Sequence, residues 1–171
     1  AFYQPQIVIY DTNMLSTLPE VEIRSGMAEV VKHAMLSDEK WLHELLQISY
    51  DKMTDEQLST YLAKGIQVKA SIVEQDETEQ SVRMFLNLGH TYGHALEAAA
   101  GYGKLTHGEC VMIGLIYMLL LGEKEGTISP DFTTAFIQFL HRNSYTIDAL
   151  DYYSFEPLKK YMIHLFQNHL Q

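Results

Sequence analysis

The chain has 171 residues and 47% of them are apolar, enough to bury a core of its own and to form one globular unit. With 22 acidic against 12 basic side chains and a net charge of -10, it argues against a nucleic-acid partner, which needs concentrated Lys and Arg; an anionic small molecule stays possible where a few basic groups converge. A single cysteine, Cys110, excludes an internal disulfide and favours a reducing, cytoplasmic setting, and it reads as a small core residue rather than a nucleophile.

In chain order, Ala1-Phe2-Tyr3 offers neither an initiating Met nor a basic leader, so the chain is read as starting inside a longer protein. Ile7-Val8-Ile9-Tyr10 is β-branched and short, which predicts a strand left over from a sheet elsewhere, the only strand expected. Thr17-Leu18-Pro19-Glu20 predicts a capping box and a helix start. Met27, Val30, Val31, Ala34 and Met35 then mark one buried stripe, with Glu29 and Lys32 beside it; by spacing alone that pair reads first as an ordinary surface ion pair. Ser37 and Thr54 are expected N-caps for helices carrying Trp41, Leu42, Leu45 and Leu46, and Leu58, Leu62, Ile66, Lys69 and Val73. Taken alone, Lys69 is a snorkelling surface lysine.

Glu74 to Gln80 reads as a loop whose Asp76, Glu77 and Glu79 form a solvated charge run. A helix is expected from about Leu88, which sets His90, His94 and Glu97 at i, i+4 and i+7 on one face, with Asn87 and Arg83 upstream. Two imidazoles and a carboxylate suit zinc or a similar divalent ion, although an isolated HxxxH is more often a pair of satisfied helix histidines. Gly89 and Gly93 leave bare backbone around His90, which points to close approach by a neighbouring segment. Gly101 to Lys104 is a turn, His107-Gly108-Glu109 opens a helix, and Cys110 to Leu121 is too short an apolar run for the ~20 residues of a membrane span. Ser129-Pro130 and Glu156-Pro157 start two more helices, while His141, His164 and His169 show no partner pattern. The pattern is all-α: a helical domain over residues 19–171, preceded by a strand and linker over residues 1–18.

Gly26-Met27-Ala28-Glu29-Val30-Val31-Lys32, Lys69 with Asp76-Glu77, the run Arg83 through Asn87-Leu88-Gly89-His90-Thr91-Tyr92-Gly93-His94-Ala95-Leu96-Glu97, and His107-Gly108-Glu109 together resemble the C-terminal domain of 3-dehydroquinate synthase. The resemblance covers nearly the whole chain. It implies a shikimate-route enzyme that turns 3-deoxy-D-arabino-heptulosonate 7-phosphate into 3-dehydroquinate and phosphate, using NAD and a divalent metal, Zn2+ or Co2+. It further implies Glu29, His90 and His107 as metal ligands, which moves His94 from the ligand set to an acid/base and phosphate contact. Lys32 and Lys69 would hold substrate hydroxyl and carboxylate groups, Arg83 would clamp the carboxylate, and Asn87 with His94 would face the phosphate.

By the same resemblance, most of the NAD site lies on an N-terminal domain outside this chain, a further catalytic lysine lies beyond the last helix, and the chain alone is inactive. A homodimer is implied, with no nucleic acid and no membrane. Family members usually carry an Arg after the Leu-Pro pair where this chain has Glu20-Val21-Glu22, a departure expected to alter an ion pair and not the chemistry. Two competing readings are another sugar phosphate cyclase, of the 2-deoxy-scyllo-inosose or valiolone type, and a metal-binding helical module without catalysis. Lys69, Arg83 and Asn87 favour the carboxylate-bearing substrate.

Overall fold

In the computed structural model, residues 6–101, 103–148, 158, 159, 162 and 163 are described. Six α-helices follow one another: α1 Glu20–Ser37, α2 Glu39–Leu46, α3 Asp55–Gln75, α4 His90–Ala100, α5 His107–Lys124 and α6 Pro130–Arg142. The domain is all-α, as expected. Ile7 to Tyr10 is exposed and belongs to no strand among the described residues, because nothing there offers its backbone a ladder partner. The last expected helix start at Glu156-Pro157, along with His164, His169 and Tyr102 of the turn, lies outside the described residues.

α5 is the axis. Its residues from Gly108 to Ile116 are all buried, and a helix that is apolar all round can only sit inside a packed domain. α4 and α1 lie directly against it, α3 packs on the outer side of α1, and α2 and α6 close the far end. The main core joins Met27, Val31, Leu45, Val111, Met112, Leu115, Phe136 and Phe139; a smaller one forms around Tyr92, Leu96, Cys110 and Ile113. The predicted stripes on α1 and α2 are buried as expected and α6 buries Phe136, Phe139 and Leu140, but α3 is rotated. It buries Leu58, Tyr61 and Gly65 and leaves Ile66 40% exposed, since Gly65 is where α1 comes close.

Three helix starts differ from the expected ones. Thr17 ends a 3-10 turn, Thr12–Thr17, and spends its hydroxyl on the Met14 carbonyl at 2.8 Å, leaving Pro19 as the N-cap of α1 without a side-chain bond. Ser37 likewise donates to the His33 carbonyl, and Asp38 caps α2 by accepting the Trp41 N–H at 2.8 Å. Before α4, Val82–Asn87 is a 3-10 turn and Gly89 takes a φ of 77°, so the α-helix begins at His90 and not at Leu88. Thr54 and Ser129 cap α3 and α6 as predicted, and α5 starts at His107.

Candidate metal centre

Helix starts place the key histidines. His90 and His107 are the first residues of α4 and α5, and two glycine contacts fix how close those starts lie to α1 and to each other. A Cβ on Gly108 would overlap the backbone of Ser25 on α1, and one on Gly114 would overlap the Gly89 carbonyl just before α4. The Gly108 N–H also donates to Ser25 Oγ at 3.0 Å. Thr106 and Glu109 form a capping box at the head of α5, with the Glu109 carboxylate turned back onto the Thr106 N–H at 2.8 Å. That box was legible as Thr-x-x-Glu but was missed in the sequence reading.

Glu29, from the middle of α1, meets both histidines. Its Oε1 lies 3.5 Å from His90 Nε2 and 3.9 Å from His107 Nε2, and the three donor atoms fall within 4.8 Å of one another. Its other oxygen, Oε2, accepts from Lys32 Nζ at 2.7 Å. Oε1 itself is buried with no hydrogen-bond partner among the described residues, an arrangement that costs free energy unless a cation or donor occupies the space it faces. The His90 Nδ1 stands 3.1 Å from the Leu88 carbonyl, which can only accept, so the proton sits there and the Nε2 lone pair points at Glu29.

Charge states suit the same task. Burial, with the Lys32 charge behind it, brings His90 down to about 4, so its imidazole is neutral at pH 7 as metal ligation requires. For Glu29, burial opposes ionisation, but the Lys32 charge and hydrogen bond together with His90 outweigh it and hold the carboxyl below its ordinary range. Lys32 is 2% exposed; burial and the nearby Lys69 charge lower its pKa against the pull of Glu29. One hard carboxylate oxygen and two imidazole nitrogens from three helices are a donor set that fits Zn2+ or Co2+ with coordination positions to spare.

His94 is exposed one turn beyond His90. The rings of His90, His94 and His107 form a triangle with centroids 5.2 to 5.4 Å apart, yet His94 Nδ1 faces Glu97 Oε2 at 3.3 Å and not the Glu29 cradle. The i, i+4, i+7 face therefore exists, but the compact donor set around Glu29 draws on His107. Arg83 and Asn87 stand on the 3-10 turn and are tied to the acidic loop: Arg83 Nη1 donates to the Glu77 carbonyl at 2.6 Å, and Asn87 Nδ2 donates to Glu79 Oε1 at 2.8 Å. Lys69 is exposed on α3, where its charge acts on Lys32 and His33.

Asp76 corrects the expectation of a solvated charge run. It is 7% exposed and accepts the backbone N–H groups of Gln80, Ser81 and Arg83 at 2.9, 2.7 and 3.0 Å, which bring its carboxyl down to about 2. His33 was not singled out by the sequence reading either: it is buried between α1 and α3, and both ring nitrogens lack a partner among the described residues.

The fold and this centre define a helical domain with a candidate cation cradle, and comparison with known proteins specifies its family. Residues 26–165 match the family model described as 3-dehydroquinate synthase C-terminal. The 3-dehydroquinate synthase of Lysinibacillus sphaericus (strain C3-41) is 58% identical over 164 residues, 95% of this chain and 45% of that protein. That of Bacillus pumilus (strain SAFR-032) is 56% identical over 126 residues, 73% of this chain and 35% of the relative. Among solved structures, 2-deoxy-scyllo-inosose synthase complexed with carbaglucose-6-phosphate, NAD+ and Co2+ superimposes with a TM-score of 0.73 at 29% identity, covering 95% of this chain and 44% of that one. The chain belongs to the 3-dehydroquinate synthase family, as its C-terminal domain, and spans less than half the length of these relatives.

Proposed function

We propose that this chain is the metal- and substrate-binding domain of a 3-dehydroquinate synthase, releasing phosphate from 3-deoxy-D-arabino-heptulosonate 7-phosphate to give 3-dehydroquinate. The observation that carries the reading is the orphaned Glu29 Oε1 facing two histidine Nε2 atoms. Glu29, His90 and His107 would hold Zn2+ or Co2+, a Lewis acid that acidifies substrate hydroxyls and polarises a carbonyl. NAD, taking and returning a hydride, would be held mainly by the N-terminal part of the longer protein.

This chain's own residues position the substrate. Lys32, buried and already bonded to Glu29, presents its remaining N–H donors to substrate hydroxyls beside the cradle. Lys69 meets the same region from α3. Arg83 offers its planar fork to the carboxylate, and Asn87 with the exposed His94 faces the phosphate, where His94 exchanges a proton through its imidazole. Much of the rate then comes from orientation of a flexible sugar acid. We place the protein in the cytoplasm as a homodimer, with residues 1–18 as a linker from the preceding domain; the free Cys110 and the absence, among the described residues, of a helix long and apolar enough to cross a membrane accord with that setting.

The test is phosphate release by the full-length protein. Turnover of the heptulosonate phosphate and none of glucose 6-phosphate supports the synthase; the reverse preference assigns it to the 2-deoxy-scyllo-inosose class. A folded, metal-loaded protein that releases phosphate from neither leaves the non-catalytic module.

A further inference from the structure

The two histidines of the cradle are braced differently. His90 is 14% exposed in its side chain and has the Leu88 carbonyl on its Nδ1. His107 is 41% exposed at the open end of α5, so packing alone does not fix its ring. On its Nε2 side stands Glu29; on its Nδ1 side, 3.9 Å away, stands Oε2 of Glu97. The same Glu97 oxygen is 3.3 Å from His94 Nδ1, and Glu97, His94 and His107 keep their donor atoms within 4.8 Å.

The geometry points to Glu97 as a positioning residue that fixes the orientation and tautomer of both His107 and His94. One carboxylate oxygen has lone pairs for two N–H donors, and a small ring rotation brings His107 Nδ1–H into hydrogen-bond range. With its proton held on Nδ1, His107 presents the Nε2 lone pair to the space shared with Glu29 Oε1. An anionic acceptor is also a stronger hydrogen-bond partner than a neutral carbonyl, so the exposed histidine receives the stronger brace. His94 is held by the same group through its Nδ1. This inference rests on the reading of Glu29, His90 and His107 as a cation site.

The full-length protein and its Glu97→Ala and Glu97→Gln variants, labelled with 15N-histidine, provide the test. Without metal, wild-type His107 is expected as the Nδ1–H tautomer, and Glu97→Ala should move it to a mixture. In a Zn2+ titration, wild type should take one ion, Glu97→Ala should bind it about 10- to 100-fold more weakly, and Glu97→Gln, which retains an acceptor oxygen, should recover part of the loss. Unchanged tautomer and affinity in Glu97→Ala would overturn the assignment. So would two bound ions in wild type with only the second lost in Glu97→Ala, which makes Glu97 a ligand in its own right. A wild-type protein that binds no Zn2+ ends the cation-site reading instead, and the tautomer measurement still decides whether Glu97 holds His107.

Discussion

Lys32 and Glu29, three residues apart on α1, share a contact of 2.7 Å in which the lysine is sealed from solvent and the carboxylate keeps one oxygen free. The pair is therefore not the surface bridge that its spacing also allowed, and the two partners are not equivalent. Glu29→Gln leaves a buried ammonium without its counter-charge and should destabilise the domain by about 3 kcal/mol as well as weaken metal binding. Adding Lys32→Met should restore most of the stability but none of the metal affinity. Urea denaturation and Zn2+ titration of the single and double variants separate the two effects.

His107→Ala should abolish tight Zn2+ binding, whereas His94→Ala should keep it and lose turnover, because of these two only His107 directs a nitrogen at Glu29. Loss of the ion in His94→Ala with retention in His107→Ala would reverse the ligand assignment.

His33 gives the domain a pH-dependent stability. Burial, then the Lys32 charge, lowers its folded pKa from 6.5 to about 4, so the unfolded chain takes up the proton first. Its contribution is fully present above about pH 6.5 and is lost as the pH falls toward 4, with a slope of about 1.4 kcal/mol per pH unit for one proton. His90 acts in the same direction and over the same window. His33→Leu should remove one proton's worth of that slope, seen in urea midpoints measured from pH 7 to 4.

Two helical glycines should respond with opposite signs. Nothing lies within 4 Å of a Cβ built on Gly26, so Gly26→Ala should stabilise α1 by up to about 1 kcal/mol. Gly114→Ala drives a methyl into the Gly89 carbonyl and should destabilise by about 1–3 kcal/mol while loosening the metal cradle. Thermal melts with and without Zn2+ read both.

Asp76→Ala releases three backbone N–H groups that shape the turn carrying Arg83 and Asn87. With hydrogen bonds worth about 1 kcal/mol each, substrate KM should rise about tenfold or more while Zn2+ affinity stays unchanged. In wild type the same bonds hold down to low pH, since they fail only as the carboxyl protonates between its ordinary value of 3.8 and about 2.

Much of the helical plan could be read from apolar spacing, because helices such as α2 and α6 bury one continuous face. Periodicity could not place α3, where the buried stripe turns on a glycine, nor choose among competing hydroxyls at helix starts. Ser37 and Thr17 both bond backward to a carbonyl, leaving the cap to the next residues. At the site, the 90–97 spacing gave the shared face of His90, His94 and Glu97 but not the choice of donor. Spacing within one helix says nothing about His107, whose approach depends on α5 lying against α1 at Gly108. Asp76 was misread for a related reason: an acidic run gives no hint which of its carboxylates turns inward to cap its own loop.

Both histidines nearest Glu29 are the opening residues of helices, so the positive ends of two helix dipoles, each equivalent to roughly half a charge, converge beside the cradle. The buried Lys32 adds another. A divalent ion entering this field has Glu29 before it and Glu97 across His107 in its favour, with the positive poles against it. An ion accompanied by an anionic, hydroxyl-bearing ligand satisfies both halves of the field at once. A cation held by Glu29 and an anionic ligand beside it should therefore load cooperatively, each tightening the hold on the other by the same factor.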